Sequence, residues 1–395
     1  MDLFKESVAA IVPKVKEWRR HLHQYPELSF QEFKTTEYII DQIKDLTDLT
    51  YERVSPTGIV ARLKGSKPGP VIALRADIDA LPMTEKSDVP FSSKNEGVMH
   101  ACGHDCHTAM LLGALHTLYE HRAELEGSFV FIFQAAEEVF PGGAKELVEK
   151  GVMEGVDAII GQHVGPKIKT GHIETCPGYI TANSDVFELT VVGKGGHGSS
   201  PQSCLDPLPV GAQIVTALQN VVARHIPAQE SAVLSVTQFN SGTVYNVIPD
   251  TAIIKGTVRT YSTENRELME TMIRQIGEKY AAASDMTIEY TYRQGYDNMY
   301  NSPEYTKALM EVADGLHGPG TAGLMEPGMG GEDFSYYLQK VPGCFYFFGV
   351  GNQEQDCVYS VHNTKFKADE ASFAVGMSIM LNAAIRFQKL AKKEA

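Results

Sequence analysis

The spacing of apolar side chains changes period several times along this chain, and each change predicts an element. Residues 2–24 alternate apolar and charged positions at helical spacing and stop at Tyr25-Pro26. They predict an N-terminal helix in which Pro13 is either a kink or the true start. Residues 31–46 predict a second amphipathic helix. A strand is predicted over 58–64, ended by Pro68-Gly69-Pro70. Four further runs, 71–77, 129–134, 157–163 and 344–350, are apolar on both faces over strand length. Helical patterns at 106–122, 143–150 and 369–391 alternate with them. Doubly buried strands alternating with helices predict an α/β fold, a mostly parallel sheet covered by helices.

The middle of the chain follows another rule. DVFELTVVG at 185–193 alternates apolar and polar positions, as a half-solvated strand does. A helix at 207–223, strands at 231–240 and 250–260, a helix at 263–283 and a strand at 286–293 complete a β-α-β-β-α-β order. The expected organisation is an α/β domain of residues 1–182 and 295–395 carrying an inserted α+β domain at 183–294.

Composition narrows the function classes. The 395 residues suggest one to three domains, and 43% hydrophobic with 21% charged residues is ordinary for a globular protein. A net charge of −14 leaves no broad basic surface, which argues against nucleic acid or an anionic membrane as a main partner. No apolar run approaches the ~18 residues of a spanning helix. The opening MDLFKESVAA lacks the basic and apolar regions of a secretory leader. The six cysteines (102, 106, 176, 204, 344 and 357) show no framework spacing. A cytoplasmic protein with free thiols is the expectation.

The chemistry concentrates in HACGHDCH at 100–107, which packs Cys102, His104, Asp105, Cys106 and His107 around one glycine. Thiolate, imidazole and carboxylate are transition-metal donors. The bland alternative is a buried Cys and a satisfied His at a tight turn. Further donors stand at strand ends: Asp77 and Asp79, the pair Glu137-Glu138, His163 closing the strand 157–163, and His362 after the strand 344–350. Ligands of open parallel sheets bind beyond the carboxyl ends of the strands. Two carboxylates facing one buried point repel unless a cation separates their roles into ligand and base. Taken singly, a solvated loop pair and loop histidines are the competing descriptions.

Ten segments running nearly end to end then carry a family resemblance. They include RRHLHQYPELSFQE (19–32), RADIDALPM (75–83), HACGHDCHTAMLLGA (100–114), FQAAEE (133–138), GKGGHGSSP (193–201), NVIPD (246–250), GTVRT (256–260), GGEDFSYY (330–337) and VHNTKF (361–366). The chain resembles the metal-dependent amidohydrolases of the aminoacylase/carboxypeptidase group, in the branch with hippurate hydrolase and auxin-conjugate hydrolases. It departs at Gln202, where related sequences often have His.

The resemblance implies two divalent ions held by Cys102, His104, Glu138, His163 and His362, with Cys102 bridging. It implies Glu137 as general base and Asp79 as the carboxylate orienting a ligand histidine, with Asp77 competing for that role. It also implies a homodimer or homotetramer, and His197 reaching a substrate oxyanion in its own or the partner subunit's site. Arg259 is a candidate for gripping a substrate carboxylate. Asn246, Gly330 and Gly331 are further candidate contacts. Zinc is favoured by the thiolate, with manganese, cobalt or nickel as alternatives. The expected activity is hydrolysis of the amide of an N-acyl amino acid by a metal-activated water. Carboxypeptidase or dipeptidase activity is the nearest alternative. A noncatalytic binder of amino acid conjugates and a thiol redox protein are readings from other classes. His21 and His23 are expected to be solvated or capping, and Cys106 and His107 to pack or face solvent.

Overall fold

A computed structural model of the protein describes residues 2–394. Its contacts divide into two compact units. One takes the chain up to Ile180, then Tyr300–Pro327, then everything from Asp333. The other is Thr181–Met299 with the short return Gly328–Glu332, a grouping that no local pattern announces.

The first unit is built on an eight-stranded sheet. Its spatial order is Leu49–Glu52, Ile59–Lys64, Glu126–Gln134, Lys67–Asp77, Ala158–Lys169, Gly343–Gly351, Ile173–Thr175 and Ala322–Leu324. The central four strands are mutually parallel, and antiparallel strands flank them. Phe129, Val130, Phe131, Ile132 and Phe133 are all buried, as a strand covered on both faces requires. Helices Lys5–Gln24, His104–Glu120 and Ser372–Glu394 share one core, with Val15, Trp18, Met110 and Met377 among its members. Gly113 permits their close approach, because a Cβ there would lie 2.5 Å from Met377 Sδ and 2.6 Å from Val15 Cγ2. Pro13 lies inside the first helix, which runs unbroken through it. Helix Pro303–His317 has no counterpart among the predicted elements; it opens with proline at a position whose N–H needs no partner.

Two boundaries differ from expectation in ways that matter for the chemistry. The third helix starts at His104 rather than 106, so this ligand candidate belongs to its first turn. The strand expected to end at His163 continues to Lys169. Its pairing with Lys67–Asp77 stops at Arg75 opposite Gly161, while pairing with Gly343–Gly351 carries on. His163 therefore stands just past the last rung shared with its shorter neighbour.

The second unit is a four-stranded antiparallel sheet in the order Ala232–Ser241, Thr251–Thr260, Asn183–Val192, Thr287–Arg293. Helices Pro207–His225 and Thr263–Ala282 pack on it through Ile214, Leu218, Met269 and Ile273. Phe187, Leu189 and Val191 face this core, while Val186, one residue before them and on the opposite face, is 50% exposed. The two helices are capped by Asp206, accepting from the Leu208 N–H, and Ser262, accepting from the Asn265 N–H.

Candidate metal centre

Three local devices bring the donors of the first unit together. The first is Gly103, between Cys102 and His104. Its φ of +89° is in the left-handed region, and a Cβ would meet Val164 Cγ2 at 2.5 Å, so only glycine fits the turn. The second is the loop of His362, itself at φ +60°, whose N–H donates to the Ala101 carbonyl at 2.8 Å. The third is the bend after Gln134, where Ala136 has a φ of +54°.

Among the described residues of the first unit, four groups of donors result, each with its ligand atoms within 4.8 Å of one another. Cys102, His104 and His163 form one; Cys102, Glu138 and His362 form another. The two share Cys102. His104 also groups with Glu137 and Glu138, and with Asp77 and His107. Glu138 Oε1 lies 3.1 Å from His362 Nε2, and Cys102 Sγ 3.3 Å from His163 Nε2.

The hydrogen bonds fix which ring nitrogens are offered. His104 Nδ1 lies 3.1 Å from Asp79 Oδ1, and His163 Nδ1 donates to the Val164 carbonyl at 2.8 Å. Both imidazoles thus turn Nε2 inward. His104 Nε2 is buried without a hydrogen-bond partner, 3.7 Å from Asp77 Oδ2, 4.0 Å from Glu137 Oε2 and 3.9 Å from Glu138 Oε1. Those distances are too long for hydrogen bonds. A nitrogen lone pair among three carboxylates at that spacing fits a shared cation.

Electrostatics agree. Burial opposes charge on His104, yet Asp77 and Asp79 hold its pKa up to about 10. The local field demands positive charge there. Burial, with Glu138 and Glu137, pushes the Cys102 thiol well above its usual value, so a cation is what would favour the thiolate. The donor set fits two divalent ions.

Asp77 and Asp79 have separate partners. Asp79 receives His104 Nδ1, Ser29 Oγ at 2.7 Å and the Glu138 N–H at 3.0 Å. Asp77 Oδ1 faces His107 Nδ1 at 2.6 Å, and its Oδ2 accepts from Arg75. His107, fully buried, accepts the Val164 N–H on Nε2 at 2.9 Å. Burial outweighs Asp77 and lowers His107 to about 4, so this imidazole is neutral and ties the His163 strand to the helix.

His23, expected to be solvated or capping, is neither. It is 1% exposed, with Nδ1 2.8 Å from Asp105 Oδ2 and Nε2 3.1 Å from Glu85 Oε1. Arg19, one helical turn earlier, reaches the same Asp105 oxygen at 2.8 Å. The segment 19–32 is legible as a motif, and the only roles expected within it are the solvated or capping ones of His21 and His23. Arg19 and His23 hold Asp105 beside His104, Ser29 bonds to Asp79 and Glu32 to the Ala136 N–H, pairings that the i, i+4 spacing of Arg19 and His23 on an apolar face foreshadowed only faintly.

The other candidates lie in the second unit. His197 is exposed, on the two-residue strand Gly196–His197 paired with Val247–Ile248. Its Nδ1 accepts from Ser199, and Asn246 is adjacent through its carbonyl, which accepts the Gly198 N–H at 2.9 Å. Arg259 is half-buried and donates to the Met329 carbonyl at 3.2 Å, beside Gly330 and Gly331. The Gly330 carbonyl accepts the Ala182 N–H at 3.1 Å.

Comparison with known proteins follows the same lines. Residues 73–386 match the model of Peptidase family M20/M25/M40. An N-acyl-L-amino acid amidohydrolase of Geobacillus stearothermophilus is 45% identical over 73% of this chain and 80% of its own. Thermostable carboxypeptidase 1 of Saccharolobus solfataricus is 38% identical over 98% of this chain and 99% of its own. A solved Bacillus subtilis structure, described as a dinuclear metal-binding peptidase from the M20 family, is 36% identical with a TM-score of 0.84, covering 96% of this chain and 99% of that one.

Proposed function

The chain belongs to peptidase family M20/M25/M40 and is a hydrolase of amide bonds, and from that premise we propose that it removes the acyl group from N-acyl amino acids. The observation carrying this is the pair of donor groups joined at Cys102, with Glu137 beside them and only 8% exposed.

Cys102, His104, Glu138, His163 and His362 would hold two divalent ions, which supply Lewis acidity and bring the pKa of water near ~7. Glu137, left out of both groups that share Cys102, accepts the proton of the attacking water and returns it to the leaving nitrogen. Asp79 keeps His104 in the tautomer that presents Nε2. His197 donates to the carbonyl oxygen as it gains charge. Arg259 pairs with the substrate carboxylate, with Asn246, Gly330 and Gly331 completing the cradle. Zinc suits the thiolate best, ahead of manganese, cobalt or nickel. The compartment is the cytoplasm, where the six free thiols stay reduced. The first unit carries the catalysis, and the second, Thr181–Met299 with Gly328–Glu332, pairs with its copy in a homodimer; Val186, 50% exposed on the face of its sheet away from the helices, supports this.

A second reading, a carboxypeptidase, is favoured by the Saccharolobus relative. The test is apo protein reconstituted separately with each metal and offered N-acetyl and N-benzoyl amino acids against dipeptides. Faster turnover of the acyl amino acids is expected. Preference for dipeptides would install the second reading, and no hydrolysis with any metal would overturn both.

A further inference from the structure

Ala136 sits in the left-handed region with no polar side chain to favour it. It is fully buried and immediately precedes the two glutamates. Something outside the residue must hold this conformation. The Ala136 N–H donates to Glu32 Oε1 at 2.8 Å, and the Ala136 carbonyl accepts the Gly143 N–H at 3.1 Å. Glu32 is fully buried just before the helix Phe33–Ile43, and its Oε2 accepts from Thr57 Oγ1 at 2.8 Å. Both oxygens of this carboxylate are therefore committed, one of them to the bend.

The bend has a chemical purpose. A strand continued past Gln134 would send Glu137 and Glu138 to opposite faces. With Ala136 left-handed, both carboxylates come within 4.0 Å of His104 Nε2. We propose that Glu32 is a positioning residue, which holds the Ala136 peptide in its left-handed turn so that base and ligand face one site. This rests on the roles given above to Glu137 and Glu138.

The experiment compares Glu32→Gln, Glu32→Asp and Glu32→Leu, each with and without Ala136→Gly. Readouts are zinc affinity by competition with a chromogenic chelator, kcat and KM on an N-acetyl amino acid, and the thermal midpoint. Glu32→Gln keeps an acceptor for Ala136 and should stay within about threefold of the parent. Glu32→Leu removes the acceptor, and Glu32→Asp withdraws it by one methylene. Either should weaken zinc binding at least tenfold and lower kcat at least thirtyfold, with KM within threefold. Ala136→Gly, free to adopt positive φ, should restore part of both losses. If Glu32→Leu fails to fold, Glu32→Asp answers the same question. Unchanged zinc binding and kcat, or losses that Ala136→Gly leaves untouched, would overturn the proposal. Zinc affinity is read without substrate, so failure of the parent to cleave acyl amino acids would refute the function and leave the Glu32 test standing.

Discussion

Replacing Asp79 with Asn tests the wiring of the centre, because it preserves shape and removes one acceptor. Asp79 is 1% exposed and takes three donors: Ser29 Oγ and the Glu138 N–H on Oδ2, and His104 Nδ1 on Oδ1. An asparagine has one carbonyl oxygen to offer. If that oxygen stays with Ser29 and Glu138, the amide NH2 confronts His104 Nδ1. The imidazole must then move its proton to Nε2 and lose the lone pair aimed at the metal. If the amide is reversed, the Glu138 N–H is left buried and unpaired, at about 1–3 kcal/mol. The first arrangement satisfies more donors and should prevail. Loss of such an orienting partner costs metal affinity about 10–100-fold, or roughly 1.4–2.8 kcal/mol at 1.4 kcal/mol per tenfold. The assay is zinc titration of apo protein against a chromogenic chelator, with kcat measured at saturating zinc. Wild-type affinity together with wild-type kcat in Asp79→Asn would refute the tautomer assignment.

Other outcomes follow from the same geometry. Glu137→Gln should keep both metal equivalents and lose turnover, whereas Glu138→Ala should lose metal as well; metal analysis after gel filtration separates them, and normal turnover by Glu137→Gln sinks the base assignment. Gly103→Ala should cost about 1–2 kcal/mol for the left-handed φ plus about 1–3 for the overlap with Val164, read by urea unfolding of the apo protein, and should weaken zinc binding; an unperturbed variant refutes the steric account. Burial opposes charge on His23, but Asp105 outweighs it and raises the pKa. A raised folded value gives stability that is full below the unfolded value near ~6.5 and lost as pH rises through the folded value. His23→Leu should therefore cost the apo protein more at pH 6 than at pH 9, and an equal or opposite difference contradicts the pairing. Mixed dimers of His197→Ala and Glu137→Gln chains should regain activity if His197 serves the partner, and no recovery places its action within one chain.

The elements around the centre were legible because burial leaves a local trace. Doubly apolar runs such as 129–134 and the alternation of 185–193 declare how many faces are covered, and the covering partner need not be known. The donors were legible for a related reason. Cysteine, histidine and carboxylate at the ends of apolar strands are costly unless something binds them. What surrounds those donors left much weaker marks. His23 reads as a surface histidine until Asp105 arrives from a helix 82 positions away. His107 reads as the residue after the ligands until Asp77 and the Val164 N–H take its two nitrogens.

Residue types and their periods thus determined the α/β class, the alternation that marks the antiparallel unit, and which side chains were candidate donors, since each depends on a side chain's own hydration or chemistry. Tertiary structure alone decided which nitrogen each histidine offers, that Asp79 serves His104 while Asp77 serves His107, and that Glu32 holds the turn before Glu137. Those are pairings between remote segments. Hydrogen bonds are satisfied by whichever group the fold brings within 3 Å, and no property of either residue by itself names its partner.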